Sequence, residues 1–491
     1  MTDPTRLVVV SNRLPIALEG QGDDLTITPG KGGLVTALAP VLRNRGGLWI
    51  GWSGATGDPD LGALMRDFSR DAGYDLHTVP LSAEDVRGFY QGFSNEVIWP
   101  LFHDFQSRCN FQPEYFRTYL AVNERFAEVI ARHSVETDYI WVHDYHLMHV
   151  AAKLKERGCA RKAGFFLHIP FPTPDIFLKL PWRMQIIKAL AEFDLVGFHT
   201  QNDRRNFLKC MTTLVKGAKA SGRGPVITVT LEDGRELQVG YFPISIDFKD
   251  FSRQARTRGA AKLASQIRQA LKRRTIILGA DRLDYSKGIP QRFEAMRSLL
   301  RRYPDLQNRI SLLQIVVPSR EKLPEYQAQK MEIESLVGDI NGEFSVPGYV
   351  PIQYLYRNLN RDELVGYYRA ADMALVTPLR DGMNLVAKEY CACNITEDGV
   401  LILSEFAGAA AQLQRGAFLV NPYDVEGVAD TIHRVYHMDR DMKRAYMRKL
   451  RALVRKYDIF WWVNAFLESA FGRQLTDFTP VASVDYIADR Q

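Results

Sequence analysis

Short apolar runs recur along the chain, and a helical pattern follows nearly every one. RLVVVS (6–11), residues 48–52, YIWVH (Tyr139–His143), AGFFLH (163–168), LVGFH (195–199), TIILG (275–279), ISLLQIVV (Ile310–Val317), residues 373–377 and GVLILS (399–404) are near-continuous apolar stretches. Strands that are apolar on both faces belong in parallel sheets covered on both sides. Helical periodicity lies between them, at 34–41, 115–133, 180–193, 291–302 and 362–371. The alternation predicts an α/β fold, doubly wound, with right-handed crossovers.

A single core of this kind rarely extends to 491 residues, so two are expected. Residues 216–247 change character: they are Gly-rich and read as a hairpin, VITVT, a turn at Glu232-Asp233-Gly234, then ELQVGYFP. A linker and one helix are expected over 243–274. The domain boundary is placed near residue 245, and periodicity is lost from about Leu475.

Bulk numbers exclude little. The chain is 46% hydrophobic and 24% charged, with a net charge of +6 from 63 basic and 57 acidic residues. A charge this mild suits a small anionic substrate and is no nucleic-acid signature without a clustered basic face. The runs Lys272-Arg273-Arg274 and Arg301-Arg302 read as solvated helix ends. Five cysteines, an odd and sparse set, argue for reduced thiols and a cytoplasmic setting. Cys391-x-Cys393 has neither redox nor zinc spacing and reads as buried helix cysteines. The N-terminus has no signal pattern, and VVV is too short to span a membrane.

In doubly wound sheets ligands gather at the carboxyl ends of strands, and the polar clusters fall there. Arg13 follows the first run; His143-Asp144-Tyr145-His146 follow YIWV; His168 follows AGFFL. Asp281-Arg282-Leu283-Asp284-Tyr285-Ser286-Lys287-Gly288 follow TIILG; Arg320 follows LLQIVV; Arg380-Asp381-Gly382 follow the run from Met373. Lys31-Gly32-Gly33 open a helix, where glycines admit a close ligand and the free N–H groups favour phosphate. Arg282 and Lys287 share one loop and suit a diphosphate leaving group; the plainer reading pairs them with Asp281 and Asp284 on a surface loop. His143 and His146 lack further metal ligands. Asp144 reads as a polar contact or proton acceptor, and His168 equally as a core histidine or a site residue. His77, His133 and His433 are expected at the surface.

TPLRDGMNLVAKEY (377–390) has a polar loop running into a helix. Asp381 and the N–H groups of Met383 and Asn384 can hold sugar hydroxyls. Glu389, inside the helix, can take two ribose hydroxyls or simply face solvent. The stretch reads as a nucleotide-sugar site.

VVVSNR, GGL, GLWIGWSG, FSNEVIWP, WVHDYHL, GFFLHIPFPTP, RLDYSKG and VTPLRDGMNLVAKEY together resemble the trehalose-6-phosphate synthase family, over about residues 6–471. The resemblance implies a retaining, metal-independent glycosyltransferase of GT-B type: two doubly wound Rossmann-like domains with the active site in the cleft between them. Residues 1–245 would bind acceptor and 246–455 the nucleotide sugar, with a helix at 456–474 crossing back and a loose tail at 475–491. It implies glucose transfer from a nucleoside-diphosphate glucose, UDP-glucose by default, to glucose 6-phosphate, with no cofactor.

By motif, Gly32, Gly33, Arg282, Lys287, Asp381, Gly382, Met383, Asn384, Leu385 and Glu389 would meet the donor. Arg13, Tyr90, Trp99, Asp144 and Arg320 would meet the acceptor, Trp99 through an open ring face. Asp144, His168, Arg282 and Lys287 would surround the chemistry. Domain closure would bring Arg13 and Arg320 onto one substrate. A homo-oligomer, dimer or tetramer, with no membrane or nucleic-acid partner, is implied as well. Two rival readings are a glucosylglycerol-phosphate synthase using ADP-glucose and glycerol 3-phosphate, and an inactive regulatory relative. SNR, RLDYSKG and Arg320 favour the first reading over the former; the retained cations and Glu389 favour it over the latter.

Overall fold

The computed structural model describes residues 6–19, 26–30, 33–57, 61–272, 274–320 and 323–472. The expected tail beyond 475 lies outside them. The chain divides into two compact units. The first runs to Pro243 and takes in the residues from Trp462; the second runs from Ile244 to Trp461.

In the first unit the strands are β1 (Leu7–Arg13), β2 (Ile16–Glu19), β3 (Thr26–Pro29), β4 (Gly47–Trp52), β5 (Asp75–Thr78) and β6 (Tyr139–His143). Then come β7 (Lys162–Phe166), β8 (Leu195–Phe198), β9 (Lys219–Ser221), β10 (Val226–Thr230) and β11 (Glu236–Tyr241). One sheet has the order β5-β4-β1-β6-β7-β8-β11-β10-β9. It is parallel from β5 to β11, and the β10–β11 hairpin extends its edge, β11 lying parallel to β8. Val8, Val9 and Val10 of β1 are fully buried at its centre. There the strand order reverses, β4 on one side and β6 on the other, which makes the switch point where such sheets bind ligands.

The last helix, Ile459–Ala470, explains two glycines. Phe466 stacks on Trp141 with ring centroids 4.3 Å apart. A Cβ at Gly164 of β7 would come within 3.0 Å of the Phe466 ring, and one at Gly197 of β8 within 2.9 Å. Adjacent strands thus leave a trough into which the helix drops an aromatic ring. Burying a ring of this size stabilises by about 1.5–3 kcal/mol.

The second unit contains β12 (Thr275–Arg282), β13 (Ile310–Val317), β14 (Ile352–Tyr356), β15 (Met373–Val376), β16 (Val400–Ser404) and β17 (Phe418–Val420). Their order is β14-β13-β12-β15-β16-β17, all parallel. Two Rossmann-like doubly wound sheets therefore stand where the apolar runs predicted them.

Several expectations need correction. Residues 243–274 carry two helices, Phe248–Ala255 and Arg258–Ala270, because Asp247 and Thr257 each cap a new start, accepting from the N–H of Asp250 and Ala260. The β2–β3 ladder, Ile16–Glu19 against Thr26–Pro29, was not foreseen. Strands β5, β14 and β17 were not foreseen: two are short, and β14 (IQYLY) is a half-buried edge strand. Arg301 and Arg302 end their helix exposed, as expected, and pair at the surface with Glu343 and Asp430, while Arg274 lies over Tyr349. The outlying histidines are half-buried and stacked, His77 on His133 at 3.7 Å and His433 on Tyr303 at 3.8 Å.

Candidate functional site

The polar strand ends fall into two groups, one in each unit. In the second unit β13, β12 and β15 are neighbours, so Arg320, the Arg282–Lys287 loop and the Asp381 loop emerge side by side. Asp284 turns the chain after β12: its Oδ1 accepts from the Ser286 N–H at 2.9 Å and the Ser286 hydroxyl at 2.8 Å. Lys287 follows, then Gly288 at φ 64°, where a Cβ would sit 2.3 Å from the Thr377 carbonyl oxygen. Only glycine fits that turn and that approach. The helix Ile289–Arg302 starts there, with proline in its first turn.

Lys287 Nζ donates to Asp381 Oδ2 at 2.7 Å, and both side chains are nearly buried. The Asn384 amide donates to the same oxygen at 3.1 Å. Asn384 itself has φ 78°, and its Oδ1 caps the helix Leu385–Cys393 by accepting from the Ala387 N–H. Gly408 passes so close that a Cβ would meet the Gly382 carbonyl at 1.9 Å, and the Gly408 and Ala409 N–H groups donate to the carbonyls of Asp381 and Met383. Gly382 and Met383 are buried, and Leu385 half-buried, so it is backbone that this loop presents.

Beneath the loops lies fully buried Arg292. It donates to Asp281 at 2.5 Å, to Gln314 Oε1 at 2.8 Å and to the Thr377 hydroxyl at 3.1 Å, tying the ends of β12, β13 and β15 together. Asp281 is thus spent on Arg292, while Asp284 lies 3.5 Å from Arg320 and 3.2 Å from the Tyr326 hydroxyl. The surface-loop reading fails for Lys287, whose ion-pair partner is Asp381. Arg282 is exposed at the tip of β12, and Arg320 has φ 49°. Glu389 does not face solvent alone: the Tyr368 hydroxyl donates to it at 2.7 Å, and burial pushes its carboxyl above the usual range.

In the first unit β4, β1, β6 and β7 are neighbours. The Arg13 guanidinium lies over the Trp52 ring at 4.7 Å, and a Cβ on Gly54 would strike it. Tyr90 lies 6.2 Å from Trp52 and stacks on His146 at 5.8 Å. Its segment, Val86–Ile98, is a wide helix wound i to i+5. Gly88 and Gly92 let it close on Thr118 and Tyr115. Trp99 is only 5% exposed, its ring 4.2 Å from that of His103. The open ring face expected of Trp99 is therefore largely covered.

Asp144 holds φ 76°, a strained conformation costing on the order of 1–3 kcal/mol. The strain turns its carboxylate to the His168 N–H, at 3.2 Å, while its own N–H donates to the Phe166 carbonyl at 2.8 Å. His168 Nε2 is 3.1 Å from His143 Nδ1. Burial pushes the His168 imidazole down to about 3, and His143 is held well below its ordinary value by burial and by His168. Gly33 begins the helix Gly33–Arg45; Gly32 lies outside the described residues.

Among the described residues no three His, Cys, Asp or Glu side chains form a metal-binding group. Cys391 and Cys393 are buried in their helix, and burial pushes the Cys391 thiol up to about 12. No described helix is long and apolar enough to cross a membrane. Sequence reasoning missed Arg292, Tyr368 and Tyr326. Gln314 was the readable signal, since a polar residue inside ISLLQIVV must find a buried partner.

Two Rossmann-like units, each with polar loops at the carboxyl ends of adjacent parallel strands, define the GT-B class of glycosyltransferases. The chain belongs to glycosyltransferase family 20, whose profile matches residues 5–471. It is 44% identical over 470 residues to the trehalose-6-phosphate synthase of Mycolicibacterium smegmatis, covering 94% of this chain and 92% of that one. A UDP-forming α,α-trehalose-phosphate synthase from Burkholderia xenovorans, solved in complex with glucose-6-phosphate, is similar at TM-score 0.85 and 34% identity, over 95% of this chain and 100% of that one. An E. coli structure bound with UDP-2-fluoro glucose is similar at TM-score 0.85 and 37% identity, over 95% and 99%.

Proposed function

We propose that this enzyme transfers glucose, with retention, from a nucleoside-diphosphate glucose to glucose 6-phosphate, forming α,α-trehalose 6-phosphate. UDP is the default nucleotide. The observation that carries the reading is the Lys287–Asp381–Asn384 cluster beside exposed Arg282. Cations on one loop and sugar-binding groups on the next suit a sugar diphosphate. The ligands of the Burkholderia and E. coli relatives support the same substrates.

In this reading Arg282 and Lys287 take the diphosphate, the Asp381–Leu385 loop the glucose, and Glu389 the ribose. Gly32 and Gly33 let the backbone approach the diphosphate. Asp144 and His168 meet the reacting sugar, Arg13, Tyr90 and Arg320 take the acceptor, and Trp99 backs its pocket. Retention by double displacement needs a carboxylate nucleophile below the anomeric carbon, and the family resemblance implies none well placed. On that resemblance we favour front-face attack, in which the departing diphosphate oxygen takes the acceptor's proton while the protein positions and stabilises charge. The same reading carries a cytoplasmic setting and a homo-oligomeric form, which gel filtration tests.

The decisive experiment pairs UDP-, ADP- and GDP-glucose with glucose 6-phosphate or glycerol 3-phosphate and follows nucleoside-diphosphate release. Turnover with glucose 6-phosphate is expected; turnover with glycerol 3-phosphate alone overturns the acceptor assignment.

A further inference from the structure

We infer that His143 is a positioning residue for the transfer: it donates its Nδ1 proton to His168 Nε2, and so fixes His168 as the tautomer that carries its own proton on Nδ1. His168 then offers an N–H, not a lone pair, to whatever sugar group it meets. That last step rests on the proposed placing of His168 at the sugar; the proton arrangement does not.

The two nitrogens are 3.1 Å apart, close enough for one proton to lie between them. Burial disfavours the cation on both rings, so each imidazole carries a single N–H. Two arrangements remain. If His168 Nε2 donated, the proton of His143 would have to sit on its Nε2. That atom is buried and has no hydrogen-bond partner among the described residues. The His143 ring packs 4.7 Å from Trp141 and 6.3 Å from Trp462, and the indole N–H of each is itself buried without a partner among the described residues. Indole nitrogens only donate, so neither can accept from an N–H on His143 Nε2, and an orphaned buried N–H is the rarer and costlier defect. With the proton on Nδ1 instead, His143 makes its one hydrogen bond and leaves only a lone pair unmatched on Nε2. His168 is partly exposed, so its Nδ1–H remains able to reach a ligand. The backbone N–H of His168 is meanwhile held by Asp144. Ring and main chain of His168 are thus both fixed from one strand end, that of β6.

Long-range 1H–15N correlation spectra of histidine-labelled full-length protein at neutral pH read the tautomers directly. Signals are assigned by comparison with H143F and H168N. His168 and His143 are both expected as Nδ1–H tautomers; a His168 spectrum of the Nε2–H form overturns the inference. In H143F, which keeps the ring volume without the donor, the His168 pattern is expected to change and kcat/KM for the nucleotide sugar to fall about 10-fold. H143N, whose amide can place an N–H where Nδ1 stands, is expected to recover most of that loss. Equal losses in H143F and H143N would make His143 structural only and overturn the positioning role. Nδ1–H tautomers together with unchanged kinetics in H168N would leave the proton arrangement standing and remove His168 from the sugar.

Discussion

Lys287 Nζ lies 2.7 Å from Asp381 Oδ2, although the two are 94 residues apart in the chain. Adjacency of β12 and β15 makes the pair, and it poises a cation next to a carboxylate that also holds Asn384. Lys287→Ala is expected to lower kcat by about 2–4 kcal/mol of transition-state stabilisation, with the KM for glucose 6-phosphate little changed. Steady-state kinetics with both substrates varied checks this. An unaltered kcat would make the pair a structural tie only.

The neighbouring glycine sets where Lys287 stands. Gly288→Ala would force a left-handed backbone on alanine and a Cβ to within 2.3 Å of the Thr377 carbonyl. The expected result is a loss of about 1–3 kcal/mol in stability and a kcat defect in the same direction as that of Lys287→Ala. Urea unfolding alongside kinetics separates the two effects. Wild-type behaviour in both would show that the loop tolerates the shift.

Arg320 sits at the end of β13 with φ 49°, its Nη1 2.5 Å from the Tyr326 hydroxyl. Arg320→Ala should raise KM for the phosphorylated acceptor tenfold or more, about 1.5–3 kcal/mol for a charged hydrogen bond, and move KM for the nucleotide sugar far less. Equal changes in both constants would take Arg320 out of the acceptor site.

Lys388 is buried within the second unit and donates to the Ile244 carbonyl and to Gln412 Oε1, each at 2.6 Å. Burial pushes its ammonium down to about 7. The unfolded chain keeps that proton to about pH 10.4. Between those values the unfolded state binds more protons, so this group makes stability rise with pH, by up to about 1.4 kcal/mol per pH unit. Below pH 7 both states are protonated and the contribution is flat. Lys388→Met is expected to flatten the rise between pH 7 and 10 in urea-unfolding midpoints. An identical slope in the variant would show that Lys388 keeps its charge in the fold.

The parallel strands were legible because a strand covered on both faces can afford few polar residues. Tyr139–His143 and Ile310–Val317 are found with the bounds their apolar runs predicted. The polar clusters were legible for the complementary reason, that charges stay out of such strands until their carboxyl ends. What did not show was pairing over distance. Arg292 lies in an ordinary helical stretch, and nothing local reveals that it joins Asp281, Gln314 and Thr377. The ends of edge strands such as β17 and β5 were equally silent, since three or four residues carry no period.

The placement of Trp462 and Phe466 in the first unit bears on the order in which the protein can be made. A ribosome delivers β6, β7 and β8 long before it delivers the helix that fills the trough at Gly164 and Gly197. Until Trp462 and Phe466 emerge, that half must wait with Trp141 uncovered, while the second unit, from Ile244 to Trp461, has every strand it needs. The half synthesised first is the half completed last, and a chain stopped before Trp462 would leave the first unit, not the second, with an open trough over Trp141.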